Sequence, residues 1–163
     1  MKARTRRVLA HFLVAALFCS IAACDDYPKD PEGTFDRVRG GTLRAGLMEN
    51  PPWAMREEGR PSGIEVRLVE DLAASLNAHV EWADGTGSQA LHALKEHRLD
   101  LVVGGLLETD PWVAKVGFTR PYVPDKKHVV AVPGGENAWL IAVDRFMAQH
   151  GPRVVAEFQE AAK

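Results

Sequence analysis

Cysteine is almost absent from this chain: two in 163 residues, Cys19 and Cys24, both in the first two dozen positions. No disulfide can therefore staple the part that folds, and its core must be held by burial. An excess of basic charge is missing too, with 20 Lys and Arg against 22 Asp and Glu. That balance argues against nucleic acid as a partner. His79, His92, His97, His128 and His150 show no Cys/His/Asp spacing of a metal site, so no cofactor is implied. His92 and His97 stand five apart on a predicted helix, a separation that does not bring both onto one ligand. Gly85-Thr86-Gly87-Ser88 lacks the lysine and spacing of a phosphate loop and reads as a plain turn. There is no internal repeat and no low-complexity tract.

The one long apolar run lies at the start. Lys2, Arg4, Arg6 and Arg7 precede Val8 to Ala23, a stretch too short to span a bilayer comfortably and ending in small residues, which reads as a secretory signal. Ile21-Ala22-Ala23-Cys24 resembles the bacterial lipobox, which implies lipidation of Cys24 and a tether to the cell membrane. Thr5-Arg6-Arg7-Val8-Leu9 also resembles a twin-arginine export signal, beside the general route. Asp25 and Asp26 resemble the signal that keeps some lipoproteins on an inner membrane. Cleavage before Cys24 would leave 140 of the 163 residues and, with four cations gone, a formal charge of −6. That is one domain's worth of chain.

From Asp25 to Gly41 the composition of Asp, Pro, Gly, Lys and Arg offers little to bury, and residues 24–41 are expected to form a flexible stalk. The fold is expected over 42–163. Leu43 to Leu47 reads as a first strand, and Asn50-Pro51-Pro52-Trp53 as a stiff loop with Trp53 at its end. Ile64, Leu68, Leu72 and Leu76 recur every four residues on one face of a helix. Val80 to Ala83 is a second strand, Ser88 a candidate cap for the helix carrying Ala90, Leu91 and Leu94, and Leu99 to Val103 a third strand. Strand, helix, strand, helix, strand is the alternation of a parallel sheet with crossover helices. His128 to Val132 reads as a further strand. Glu136 to Gln149 and Arg153 to Ala162 read as two helices, the second entered through Pro152 and the first burying Trp139.

The stretch Asp100 to Tyr122, DLVVGGLLETDPWVAKVGFTRPY, carries the most information. Its opening is a run buried on both faces and stopped by Gly104-Gly105, either a tight turn or a place where backbone approaches a ligand at the carboxyl end of a parallel strand. Glu108, Thr109 and Asp110 follow in a loop, where a Glu before Thr-Asp-Pro is commonly a helix cap.

The order of these pieces resembles bacterial extracellular solute-binding proteins of family 3, the receptors of ABC importers. It runs strand, Pro-Pro-Trp loop, Gly63-Ile64-Glu65-Val66 helix, Leu-Asp-Leu-Val-Val-Gly-Gly strand, Phe118-Thr119-Arg120-Pro121-Tyr122. The resemblance covers Thr42 to about Lys163. It implies an α/β fold, a mostly parallel sheet flanked by helices, of the type 2 periplasmic-binding kind, and a small polar or aromatic solute as ligand. The site residues it implies are Trp53 for stacking, Gly104 and Gly105 at the strand end, the hydroxyl of Thr109, and Trp112. An extracytoplasmic, lipid-anchored location and an ABC permease as partner follow from the same resemblance.

Two departures limit it. Leu107 stands at a threonine position, and Trp112 stands where the family's arginine grips an α-carboxylate. An indole has one donor and no charge, so an ordinary α-amino acid is not the expected ligand. Five residues, Val123 to Lys127, then separate Tyr122 from the return strand, too few to hold the second lobe that relatives insert there. The expectation is a single lobe with half of a cleft exposed, which a homodimer or a separate partner would complete. A degenerate lobe used for protein interaction or without any ligand is the alternative from another class. A small dehydratase or lyase using the Glu108–Asp110 loop is the weaker third, and the chain is read as a non-enzyme.

Overall fold

The computed structural model describes residues 28–123 and 127–161. Along the chain lie α1 (Thr34–Val38), β1 (Thr42–Leu47), the hairpin strands β2 (Met55–Glu57) and β3 (Arg60–Ser62), α2 (Ile64–Ser75), β4 (His79–Trp82) and α3 (Gly87–Lys95). They are followed by β5 (Leu101–Val103), a 3₁₀ turn (Pro111–Ala114), β6 (Gly117–Phe118), β7 (Ala131–Val132) and α4 (Asn137–Ala161).

The main sheet has the order β4-β1-β5-β7-β6. β1 is parallel to β4 and β5, while β7 runs antiparallel to β5 and β6. Alternation along the strands divides the core between two faces, as the pleat requires. Leu101, Val103, Val130 and Val132 pack with Leu68, Leu72, Trp139, Val143 and Met147 from α2 and α4. Val102, Val129 and Ala131 pack with Leu91 and Leu94 of α3 on the other side. Truncating a fully buried leucine here, such as Leu68→Ala, removes both transfer energy and packing, about 2–5 kcal/mol in such cores.

The flexible stalk expected to reach Gly41 is not what Pro28 to Gly41 forms. Thr34 and Val38 of α1 are buried. The backbone of Glu32 and Thr34 donates to the buried carboxylate of Glu136, and Phe35 N donates to Asp30. Composition failed there because few apolar side chains are needed once polar groups of distant residues hold the segment. Burial raises the Glu136 carboxyl, and the amides of Glu32 and Thr34 more than offset it, leaving it below the usual range.

Three smaller expectations also change. α3 is capped by Thr86, in a reciprocal box with Gln89, instead of by Ser88. Asp110, accepting from Trp112 N, caps the 3₁₀ turn in place of Glu108, which pairs with Lys127. The two carboxy-terminal helices are one, with Pro152 inside it. A proline removes one helix hydrogen bond, yet Trp139, Val143, Met147, Gly151, Val154 and Val155 make one continuous buried stripe across it. A Cβ on Gly151 would stand 2.5 Å from the ring of Tyr122, so the helix lies close at that point.

The connection after Tyr122 is short, as expected. Val123 and His128 form an antiparallel bridge, and Lys127 N donates to Val123 O at 2.8 Å. No room for a second lobe exists between them. Cys24 and the leader lie outside the described residues.

Candidate functional site

The parallel strands β1 and β5 end side by side, and Met48 N, just beyond β1, donates to Val103 O at 2.8 Å. Two glycines follow β5. Gly104 has φ 143 and Gly105 φ 66, backbone regions that favour glycine. A Cβ on Gly104 would lie 2.2 Å from Met48 O, and one on Gly105 2.2 Å from Asn50 Nδ2. Close approach is therefore real at this strand end, and the first group approached is the protein itself.

Glu65, in the first turn of α2 and 1% exposed, reaches beneath the glycines. Its Oε2 accepts from Gly104 N at 2.6 Å and Gly105 N at 2.8 Å. Its Oε1 accepts from the Tyr122 hydroxyl, and His128 Nδ1 stands 3.5 Å from the same oxygen. Burial, then the adjacent negative charge of Glu65, push the Tyr122 phenol far above its ordinary value, so it remains a donor. The first amides of α2 donate to the Pro-Pro-Trp loop, Ile64 N to Pro52 O and Glu65 N to Trp53 O. Those bonds fix where Glu65 begins its reach.

The residues expected to touch a ligand are placed as follows. Trp53 is 9% exposed and packs on the His128 ring, with centroids 3.8 Å apart. It belongs to the core, which corrects its expected stacking role. Asn50 is exposed, as are Pro51 and Pro52 after it, and its Nδ2 donates to Gly104 O at 3.2 Å. The amides of Gly104 and Gly105 point at Glu65 and so are not turned outward as ligand donors. Thr109 is exposed. Trp112 is half-buried, edge-on to His92 at 5.0 Å, with the Lys115 ammonium 4.9 Å from its ring centroid. Leu107 and Val113, on the same segment, are the large apolar residues left exposed among the described residues.

An open depression of about 550 Å³ lies at the carboxyl ends of β1 and β4, lined by Met48, Glu49, Arg56 and the Thr86–Ser88 start of α3. Met48 stands between it and Gly104. The Arg56 guanidinium donates to Ala83 O and faces Asp84 at 3.9 Å, which holds it to the rim. Asn50, Glu65, Tyr122 and His128 were missed as site residues. Glu65 had a signal: it shares the inward stripe of α2 with Val69 and Leu72, an acid where the pattern calls for an apolar residue.

This geometry, a crevice outside the carboxyl ends of parallel strands, is where open α/β sheets place ligands. The profile of "Bacterial extracellular solute-binding proteins, family 3" matches residues 43–163. The chain belongs to that family. A probable histidine-binding protein of Campylobacter jejuni is 24% identical over 122 residues, 74% of this chain and 48% of its own length. The L-cystine-binding protein TcyJ of Escherichia coli is 27% identical over 116 residues, 69% of this chain and 44% of its own. This chain thus spans about half the length of the curated relatives it matches. The arginine-bound form of domain 1 from TmArgBP superposes with a TM-score of 0.63 at 21% identity, covering 70% of this chain and 97% of that one. The fold is therefore a single lobe, domain 1, of a type 2 periplasmic-binding protein. The family is one of extracellular binding proteins, which sets the dehydratase reading aside.

Proposed function

We propose that this chain is an extracytoplasmic solute-binding lobe that holds a small solute in the half-cleft at the carboxyl ends of β1 and β5 and serves an ABC-type importer. The observation that carries the reading is the open depression at the carboxyl ends of β1 and β4, lined by Glu49, Arg56 and the start of α3, next to the strand end whose glycine amides Glu65 holds. A half-cleft leaves one side of the ligand wet, so affinity is modest compared with a closed site. The arginine-bound solved domain 1 supports the idea that one lobe of this fold retains a ligand. The anchor is proposed as a lipid on Cys24. A labelled lipid precursor should mark the wild type and not Cys24→Ser.

A thermal-shift titration against amino acids, polyamines, organic acids and aromatic solutes tests the main reading. A ligand that binds the native state raises the melting temperature, the more so the further its concentration exceeds Kd. Stabilisation by one solute class, lost in Asn50→Ala, is expected, and no stabilisation by any class at millimolar concentration overturns the proposal. One observation favours a second reading, that the lobe is an interaction module completed by another copy or another protein. It is the exposure of Leu107 and Val113 on the site loop.

A further inference from the structure

The main sheet ends on β4 at one side and on β6 at the other. β6 is the short pair Gly117–Phe118, while β4 runs through His79–Trp82. His79 N donates to Gly41 O and Ala83 N to Ala45 O, toward the neighbouring β1. Alternate residues of a strand aim their polar backbone the same way, so Val80 and Trp82 turn their N–H and C=O groups away from β1. Among the described residues nothing receives them. An open edge of this kind is a template for another strand.

The side chains along the edge indicate its partner. Val80 and Trp82 are half-buried on the face covered by α2, at the border of the larger core cluster. His79 and Glu81 are exposed on the other face. There α3 packs over β1 and β5 and leaves an open depression of about 580 Å³, lined by Glu81, Arg44 and Ala93. His79 Nε2 is engaged by Thr42 Oγ1 at 2.9 Å, which leaves Nδ1, and Glu81 has no partner among the described residues.

Two strands of this pattern fit each other when run antiparallel about a two-fold axis through Val80. Val80 then faces Val80 of the second copy in a hydrogen-bonded pair, exchanging two N–H···O bonds through the groups that β1 leaves free. One residue out, His79 of each copy lies opposite Glu81 of the other, an imidazole against a carboxylate, and Trp82 lies opposite Ala78. Centring the pair on Glu81 would set two carboxylates against each other, and centring it on Trp82 would leave most of β4 unpaired.

We propose that β4 is an interaction surface for a second copy of this chain, joining two five-stranded sheets through an antiparallel β4–β4 pair centred on Val80. A two-fold contact closes on itself and leaves no end to propagate. It turns the carboxyl ends of the two lobes in opposite directions, so neither copy completes the other's half-cleft, and association here is independent of any solute.

Sedimentation of the purified chain over a concentration series, with amide exchange followed residue by residue, tests it. Dimers should form between micromolar and millimolar concentration, as befits a contact of a few residues on each side. With association the Val80 and Trp82 amides should become protected, while Glu81 N, already turned to β1, changes little. Val80→Pro removes the outward donor where an edge strand tolerates its loss, and should abolish the dimer. Glu81→Lys sets a cation against His79 and should weaken association about tenfold, and His79→Glu combined with Glu81→Lys restores opposite charges and should recover it. Both charged positions are exposed, so these variants keep the urea midpoint of wild type and decide the question even if Val80→Pro does not fold. A wild type that stays monomeric at millimolar concentration overturns the assignment. So does a dimer whose affinity ignores the charge variants, or whose Val80 and Trp82 amides exchange as freely as in the monomer.

Discussion

Two buried carboxylates mark the two ends of β5, and they are satisfied in opposite ways. At the amino end, Asp100 is fully buried and receives the guanidiniums of Arg37 and Arg44, each at 2.6 Å, together with Arg44 N. At the carboxyl end, Glu65 is equally buried and receives neutral donors. An isolated buried charge is costly, and two cations answer that cost at Asp100. Glu65 has its hydrogen bonds answered by two backbone amides and a phenol. The difference separates an end where ion pairs tie α1 and β1 to the sheet from an end where neutral donors and one carboxylate fix the backbone of the strand-end glycines.

The sharpest break of this contrast is Asp100→Ala. It removes the anion from two guanidiniums and frees α1 from the sheet, and breaking such a pair costs about 3–5 kcal/mol. Urea denaturation should report that loss. A change under about 1 kcal/mol, within the range of exposed pairs, would mean that the amino end is no more than a surface ion pair.

The same carboxylate predicts a pH signature. Burial raises Asp100, but hydrogen bonds from Arg44 and Arg37 outweigh it and hold the carboxyl below its usual range. Its folded value therefore lies under the unfolded one. The stabilisation is complete above the ordinary value near about 4 and is lost as pH falls through the lower folded value. The difference in urea midpoint between wild type and Asp100→Asn should shrink from about pH 5 to pH 2. A difference constant over that window contradicts the ion-pair account.

Next in size is Tyr122→Phe, which takes one donor from Glu65 and nothing from Asp100. Leaving a buried acceptor short of its donor costs about 1–3 kcal/mol. If the variant matches wild type in urea, water or His128 replaces the phenol, and the carboxyl end is less tightly held than the structure indicates.

Much of this architecture was legible because its signals are local. Leu99 to Val103 reads as a strand buried on both faces, the spacing of Ile64, Leu68 and Leu72 as one helix, and the Phe118 to Tyr122 segment as a family mark. The stalk was misread because Glu136 and Asp100, 102 and 63 residues further along the chain and so in no local window, hold α1 down by polar contacts. Trp53 was placed in the site by the family resemblance, as the aromatic of the loop after the first strand. The loop instead folds back, with Asn50 N on Ala54 O and Trp53 N on Asn50 O, so the indole turns under and Asn50 stays outside. Gly104 and Gly105 read either as a tight turn or as a place of close approach to a ligand, and the partner their amides meet, 39 residues earlier in the chain, could not be seen from the strand alone.

The smallest expected effect lies on the open end itself. Leu107 is 42% and Val113 53% exposed, on the segment that follows the strand end. Exposed side chains away from special backbone geometry change stability by no more than about 0.5 kcal/mol when substituted. Leu107→Ser with Val113→Ser should therefore leave the urea midpoint where it is. If this end faces solvent and solute, sedimentation of the double variant should also match that of wild type at every concentration. Concentration-dependent association of the wild type, abolished in the double variant, would show instead that protein covers the carboxyl end, and would replace the half-cleft with an interface.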